Sequence, residues 1–316
     1  MTLIPLGILS ASAGGATRIS VAGYFFGGYA GASRVSAADK FDFALETKST
    51  IASFLTVAIV HLSGFSNSGV AGYAGGGITA TTVSTVNKFA FPADSRTTLG
   101  TGLSAASGLG AAMANYGTAG YQALGDTTGG TAFVSTVDKF AFPADSRTTL
   151  GTGLSGSRGY LAAMANRTVA GYFMGGRVSP FAYITTVDKF AFSDDSRSTL
   201  ATGLSASNGA THGGFADSGV AGYMAGGVIG SGTVNKFAFP SDTRTTLATG
   251  MSADCYWNTA VSNSGVAGYV GLAGLNTASS SVDKFAFPSD TRSTLASILT
   301  SATSGHGSGF ADEGAF

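Results

Sequence analysis

The stretch Val137-Asp138-Lys139-Phe140-Ala141-Phe142-Pro143-Ala144-Asp145-Ser146-Arg147-Thr148-Thr149-Leu150 decides the fold, because the chain repeats its pattern. Lys-Phe-x-Phe begins at Lys40, Lys88, Lys139, Lys189, Lys236 and Lys284. Arg96, Arg147, Arg197, Arg244 and Arg292 each precede Thr/Ser-Thr-Leu, and Lys48 holds that place in the first copy. Upstream of each copy lies a tetrapeptide ending in Gly-Tyr, at Tyr24, Tyr73, Tyr121, Tyr172, Tyr223 and Tyr269. These tyrosines are spaced by 49, 48, 51, 51 and 46 residues. A period in the forties in a chain rich in strand-forming residues means that one supersecondary unit is stacked many times.

One unit reads as four strands. In the third unit these are the small-residue run from Gly108 to Asn115, Ala119 to Leu124, Val137 to Phe142, and Arg147 to Leu154. Pro143-Ala144-Asp145-Ser146 is the turn before the last of them, since Pro fixes φ and Asp and Ser hydrogen-bond to nearby backbone. Four short strands per unit make one propeller blade. Glycine accounts for 48 of 316 residues, and no long segment keeps a helical apolar period free of it. The expected fold is all-β: a six-bladed propeller with four antiparallel strands per blade, in a single domain over 1–316. Residues 9 to 20 and 302 to 312 both read as an innermost strand for the first blade, so one of them closes the ring.

Glycine doublets Gly27-Gly28, Gly76-Gly77, Gly175-Gly176 and Gly226-Gly227 follow an apolar strand, and an aromatic strand comes next. In this the unit resembles the kelch repeat. The family's fourth-strand tryptophan is replaced by Leu99, Leu150, Leu200, Leu247 and Leu295. Such motifs serve packing and speak to fold more than to function.

Charge and composition narrow the function. Charged residues are 11%, with 17 basic and 17 acidic. A neutral chain has no field to gather nucleic acid. The N-terminus has no basic residue ahead of its apolar stretch, which argues against a secretory signal. The run Ile51 to Leu62 is too short to span a membrane, so no membrane insertion is expected. Cys255 stands alone and allows no intrachain disulfide. Glutamate occurs only as Glu46 and Glu313, and His61, His212 and His306 are scattered through the repeat. No enzyme, cofactor or metal site is expected from so little material.

The repeated Asp94, Asp145, Asp195, Asp242 and Asp290 read as turn residues that accept backbone N–H bonds and pair with the neighbouring arginine. The repeated lysines read as inter-blade or edge devices lying over aromatic neighbours. Strand alternation sorts the loops onto two faces. The face carrying the Pro-x-Asp turns is uniform. The opposite face is varied and holds Arg158, Tyr160, Arg177, Phe181, Tyr183, Tyr256 and Trp257. Aromatics and arginine there suit carbohydrate stacking or a protein contact. Equally, Trp257 and Tyr160 could plug the central channel.

The dodecamer Lys-Phe-Ala-Phe-Pro-Ser/Ala-Asp-Ser/Thr-Arg-Thr-Thr-Leu resembles repeat proteins of tailed bacteriophages, especially cyanophages. That resemblance implies a virion surface protein folded in the host cytoplasm: a tail fibre, tail-tip adhesin or capsid decoration. Its implied partners are other virion proteins, further copies of itself and host surface glycan. An intracellular kelch-type interaction module and a lectin-like propeller remain alternatives.

Overall fold

The computed structural model describes residues 22–30, 32–207, 213–227, 232–255, 257–273, 278–295, 299–300, 303–304 and 307–312. Six sheets of four antiparallel strands follow one another around an axis, and in five of them the strands run in sequence order from the innermost outward. Blade 3 is typical, with strands Ala111–Asn115, Ala119–Ala123, Val137–Ala141 and Ser146–Thr149. Blades 2, 4, 5 and 6 begin with Ser63–Asn67, Ala162–Asn166, Gly214–Asp217 and Thr259–Asn263. The outermost strand is shorter than the sequence pattern implies, ending at Thr149 in blade 3, because Leu150 already turns toward the next blade.

Blade 1 settles the closure. Its innermost strand is Ser308–Ala311 from the far end of the chain, paired antiparallel with Ala22–Phe26 in the register Tyr24↔Phe310. The 302–312 reading therefore holds for 308–311, and the competing segment 9 to 20 lies outside the described residues. Phe310 packs on Tyr24, Phe26 and Phe54, so closure adds aromatic burial to the backbone ladder.

Burial falls from axis to rim. The two inner strands are buried on both faces, the third alternates, and the fourth is mostly exposed. This gradient follows from blades packing face to face. The glycine of the Ala-Gly-Tyr strand is one place where they approach closely. A Cβ on Gly120 would stand 2.0 Å from the ring of Phe65 in blade 2, and one on Gly171 would stand 2.1 Å from Met113 Sδ in blade 3. The inner strand of each blade thus drives a large side chain into a slot that only glycine leaves open on the next.

A hydrogen-bonded clamp ties each blade to the next. Tyr121 OH and Lys139 Nζ of blade 3 both donate to Asp195 in the last turn of blade 4, at 2.7 and 2.6 Å. Tyr24 and Lys40 meet Asp94, Tyr73 and Lys88 meet Asp145, Tyr172 and Lys189 meet Asp242, and Tyr223 and Lys236 meet Asp290 in the same way. The sixth clamp crosses the ring closure, where Tyr269 and Lys284 of blade 6 donate to Glu46 of blade 1.

This corrects the turn reading of the repeat aspartates. They lie in the left-handed region, with φ of 55 to 58°, which aims each carboxylate across the seam. In blade 4 it is Asp194 that caps the turn. The arginines turn to other partners: Arg147 and Arg197 reach Asp138 and Asp188 of the third strand at 3.6 Å. The lysines do lie over aromatic rings, 5.2 to 5.9 Å from the tyrosine centroids. The six tyrosine hydroxyls are pushed above their ordinary pKa, first by burial and then by the bonded carboxylate.

Candidate functional site

Four linkers arrive at the axis in one register. His61, Leu109, Tyr160 and Trp257 each stand two residues before an inner strand, with φ of 58, 60, 61 and 69°. Left-handed backbone is uncommon for such residues and needs support from its surroundings. Support for three of them comes from two main-chain bonds in series: Leu109 N donates to His61 O at 3.0 Å, and Tyr160 N donates to Leu109 O at 2.6 Å. The effect is to bring the rings together at the channel mouth. Trp257 lies 5.0 Å from His61 and 5.2 Å from Tyr160, centroid to centroid.

The loops of blades 3 and 4 extend this cluster outward. Blade 4 projects a small hairpin, Arg177–Val178 paired with Ala182–Tyr183. Arg177 places its guanidinium 4.5 Å from the Tyr160 ring, 4.9 Å from Phe181 and 5.3 Å from Phe133. It also donates to Gly130 O at 2.8 Å, which ties the two loops to each other. Burial raises the Tyr160 hydroxyl pKa, with the Arg177 charge opposing it. Phe181, at the hairpin tip, is 67% exposed. The result is a rigid arginine held among aromatic faces, with one ring offered to solvent.

Of the residues expected on the varied face, Tyr160, Arg177, Phe181, Tyr183 and Trp257 share this neighbourhood. Tyr256 lies outside the described residues. Arg158 does not belong to the surface: it is 1% exposed, with its guanidinium 2.9 Å from a fully buried Asp188. The reason is the direction of its side chain, which runs inward from the linker to the third strand of its own blade. Burial lowers the pKa of Arg158 against the pull of Asp188. Burial would raise Asp188, but Arg158 and bonds from Ser155 and Thr199 outweigh it and hold the carboxyl below its ordinary value. His61 and Phe133 are members of the cluster that the sequence reading missed. The shared register with Tyr160 and Trp257 was the available signal for His61.

The channel itself is nearly closed. Gly64, Ala112, Ala163, Gly214, Ala260 and Gly309 line a void of about 20 Å³. Among the described residues no three or more of His, Cys, Asp and Glu are grouped so as to hold a metal ion.

The fold is similar to that in "Structure of YjhT", with a TM-score of 0.67 at 12% identity over 88% of this chain and 97% of that one. At that identity the likeness concerns the fold alone. No protein-family model and no curated protein sequence matches the chain. The fold defines the chain as a six-bladed β-propeller.

Proposed function

We propose that this chain is a non-enzymatic binding protein of a tailed-phage virion surface, which contacts host glycan through the varied face of a kelch-like propeller. The observation that carries the binding reading is the Arg177 cluster. Tyr160, Phe133 and Phe181 surround one guanidinium, with Trp257 alongside and Phe181 open to solvent. Flat aromatic faces stack on sugar rings, and a preorganised arginine supplies directed donors without a large ordering cost.

The opposite face supports multi-copy attachment to a larger assembly. The valines that open the Ala-Gly-Tyr tetrapeptides, Val70, Val169, Val220 and Val266, stand 42 to 51% exposed on it. Exposed valines at the equivalent place on four blades suit contact with other virion proteins or with further copies of the chain. The virion assignment itself rests on the resemblance of the repeat dodecamer.

The test is binding of labelled protein to a glycan array and to bacterial cells, beside Tyr160→Ala and Trp257→Ala. Saturable binding that weakens at least about tenfold in both variants is the expected result, since stacking aromatics carry most of such contacts. Binding unchanged in both would remove the varied face from the function. No glycan binding by the wild type would turn the reading toward a decoration or assembly role.

A further inference from the structure

Blades 1, 2 and 4 differ in how they fill one equivalent space, the gap between the third strand of a blade and the linker entering that blade. Blade 4 fills it with Arg158. The guanidinium lies 2.9 Å from Asp188 Oδ2 and donates to Ser155 Oγ at 3.2 Å and to Phe173 O at 3.4 Å. The other oxygen of Asp188 accepts Thr199 Oγ1 at 2.7 Å and lies 3.6 Å from Arg197. One buried carboxylate therefore holds two cations, one from the outer strand and one from the linker.

Blade 1 reproduces this frame with no inner cation among the described residues. Asp39 takes the place of Asp188 in the third strand. Thr300 N donates to Asp39 Oδ2 at 2.7 Å, as Ser155 N does to Asp188 Oδ2 at 2.8 Å. Thr50 stands in for Thr199, and Lys48, 3.8 Å away, stands in for Arg197. The linker 299–307 contains no lysine or arginine, and its one histidine, His306, lies outside the described residues. In place of Arg158 there is a cavity of about 230 Å³, walled by Phe25, Phe26, Val35 and Leu299, with Asp39 in its lining. Blade 2 leaves a similar cavity of about 200 Å³, but the third strand carries Asn87 there and no carboxylate lines the space.

We propose that the blade 1 cavity binds a guanidinium group on an aliphatic stem, with Asp39 holding the cation as Asp188 holds Arg158. Apolar walls suit the stem, and the carboxylate suits the weakly hydrated planar head. Two sources share this chemistry: an arginine side chain of another protein, or a small free guanidine.

The experiment is a calorimetric titration of the full chain with n-butylguanidinium, and with n-butylurea as a neutral isostere. One site per chain is expected, with the urea at least about tenfold weaker because it lacks the charge-assisted bond. Asp39→Asn should weaken n-butylguanidinium by a similar factor. That variant keeps a folded repeat, since Asn87 and Asn235 already occupy this position in blades 2 and 5. Val35→Trp, which narrows the cavity without touching the Asp39 bonds, should also abolish binding. The peptide Gly-Arg-Gly distinguishes the sources: affinity equal to n-butylguanidinium supports a protein partner, and exclusion of the peptide supports a small guanidine. Absence of saturable n-butylguanidinium binding, equal affinity for the urea, or affinity unchanged in both variants would overturn the proposal. Trp257 lines both this cavity and the aromatic cluster around Arg177, whereas Asp39 and Val35 stand outside that cluster, so the Asp39→Asn and Val35→Trp variants test this site separately from the proposed glycan contact.

Discussion

Replacing Asp195 with alanine should loosen the seam between blades 3 and 4 by an amount that the clamp geometry sets. Tyr121 is fully buried, so its hydroxyl would lose its acceptor with no water to replace it, at a cost of about 1–3 kcal/mol. Lys139 keeps 24% of its side chain exposed and regains water, which limits its share to roughly 0–1 kcal/mol. Alanine at a φ of 58° adds about 1 kcal/mol of backbone strain. The sum is about 3 kcal/mol. For 316 residues, an unfolding entropy near 2.1 cal/mol/K per residue converts each kcal/mol into roughly 1.5 °C, so the melting temperature should fall by about 4–5 °C. Asp195→Asn keeps an acceptor oxygen and tolerates the left-handed backbone, so it should cost less than half of that. Calorimetry and urea titration read the effect, with Tyr121→Phe in both backgrounds as a double-mutant cycle. A melting temperature within about 1 °C of wild type for Asp195→Ala would refute the clamp, given the roughly 3 kcal/mol assigned to it. So would a Tyr121→Phe penalty of the same size with and without Asp195.

Three further outcomes follow from the same seams. The six clamped tyrosines have folded pKa values above their ordinary value near 10, so their stabilisation is complete below that pH and is lost as pH rises beyond it. With up to six protons released on unfolding, stability should fall by as much as ~8 kcal/mol per pH unit above pH ~10. Tyrosinate absorbance should then rise in the same step that loses the β circular dichroism; a rise near pH ~10 with the β signal intact would contradict this. Truncation after Leu299 removes Ser308–Ala311 and strips Phe310 from Tyr24, Phe26 and Phe54, which should cost more than about 5 kcal/mol. An unchanged melting temperature would place the closure elsewhere. Arg158→Met should cost about 3–5 kcal/mol by leaving Asp188 buried and without its inner cation, and adding Asp188→Asn should recover much of it. Chemical denaturation of the single and double variants checks that recovery.

The repeat made the architecture legible because propeller packing is the same problem solved six times. The glycine of each Ala-Gly-Tyr, the third-strand phenylalanine and the turn aspartate recur wherever one blade meets the next. What the clamp aspartate does was hidden, because its partners lie 70 to 74 residues upstream for Tyr24, Tyr73, Tyr121 and Tyr172, on a neighbouring sheet. Adjacency in sequence suggested the nearby arginine instead. The candidate site was legible as a face but not as a set of contacts. Tyr160, Arg177 and Trp257 stood out as unusual residues in varied loops, yet only folding shows that the left-handed linkers bring His61, Tyr160 and Trp257 to one axis. Arg158 looked like their neighbour because it is two residues from Tyr160. Simple alternation would send both side chains the same way, but the left-handed backbone at Tyr160, with φ of 61°, breaks it and parts them.

Trp257 is the only tryptophan in the chain and sits inside the proposed binding cluster, so its fluorescence reports directly on the central claim. The decisive measurement is Trp257 emission during titration with purified host-surface polysaccharide, for wild type and for Phe181→Ser, whose exposed side chain can change without harm to the fold. The account predicts a saturable emission change in the wild type that is weakened at least about tenfold in the variant. Polysaccharide binding that leaves Trp257 emission flat and is indifferent to Phe181→Ser would place the contact elsewhere on the propeller and contradict the account.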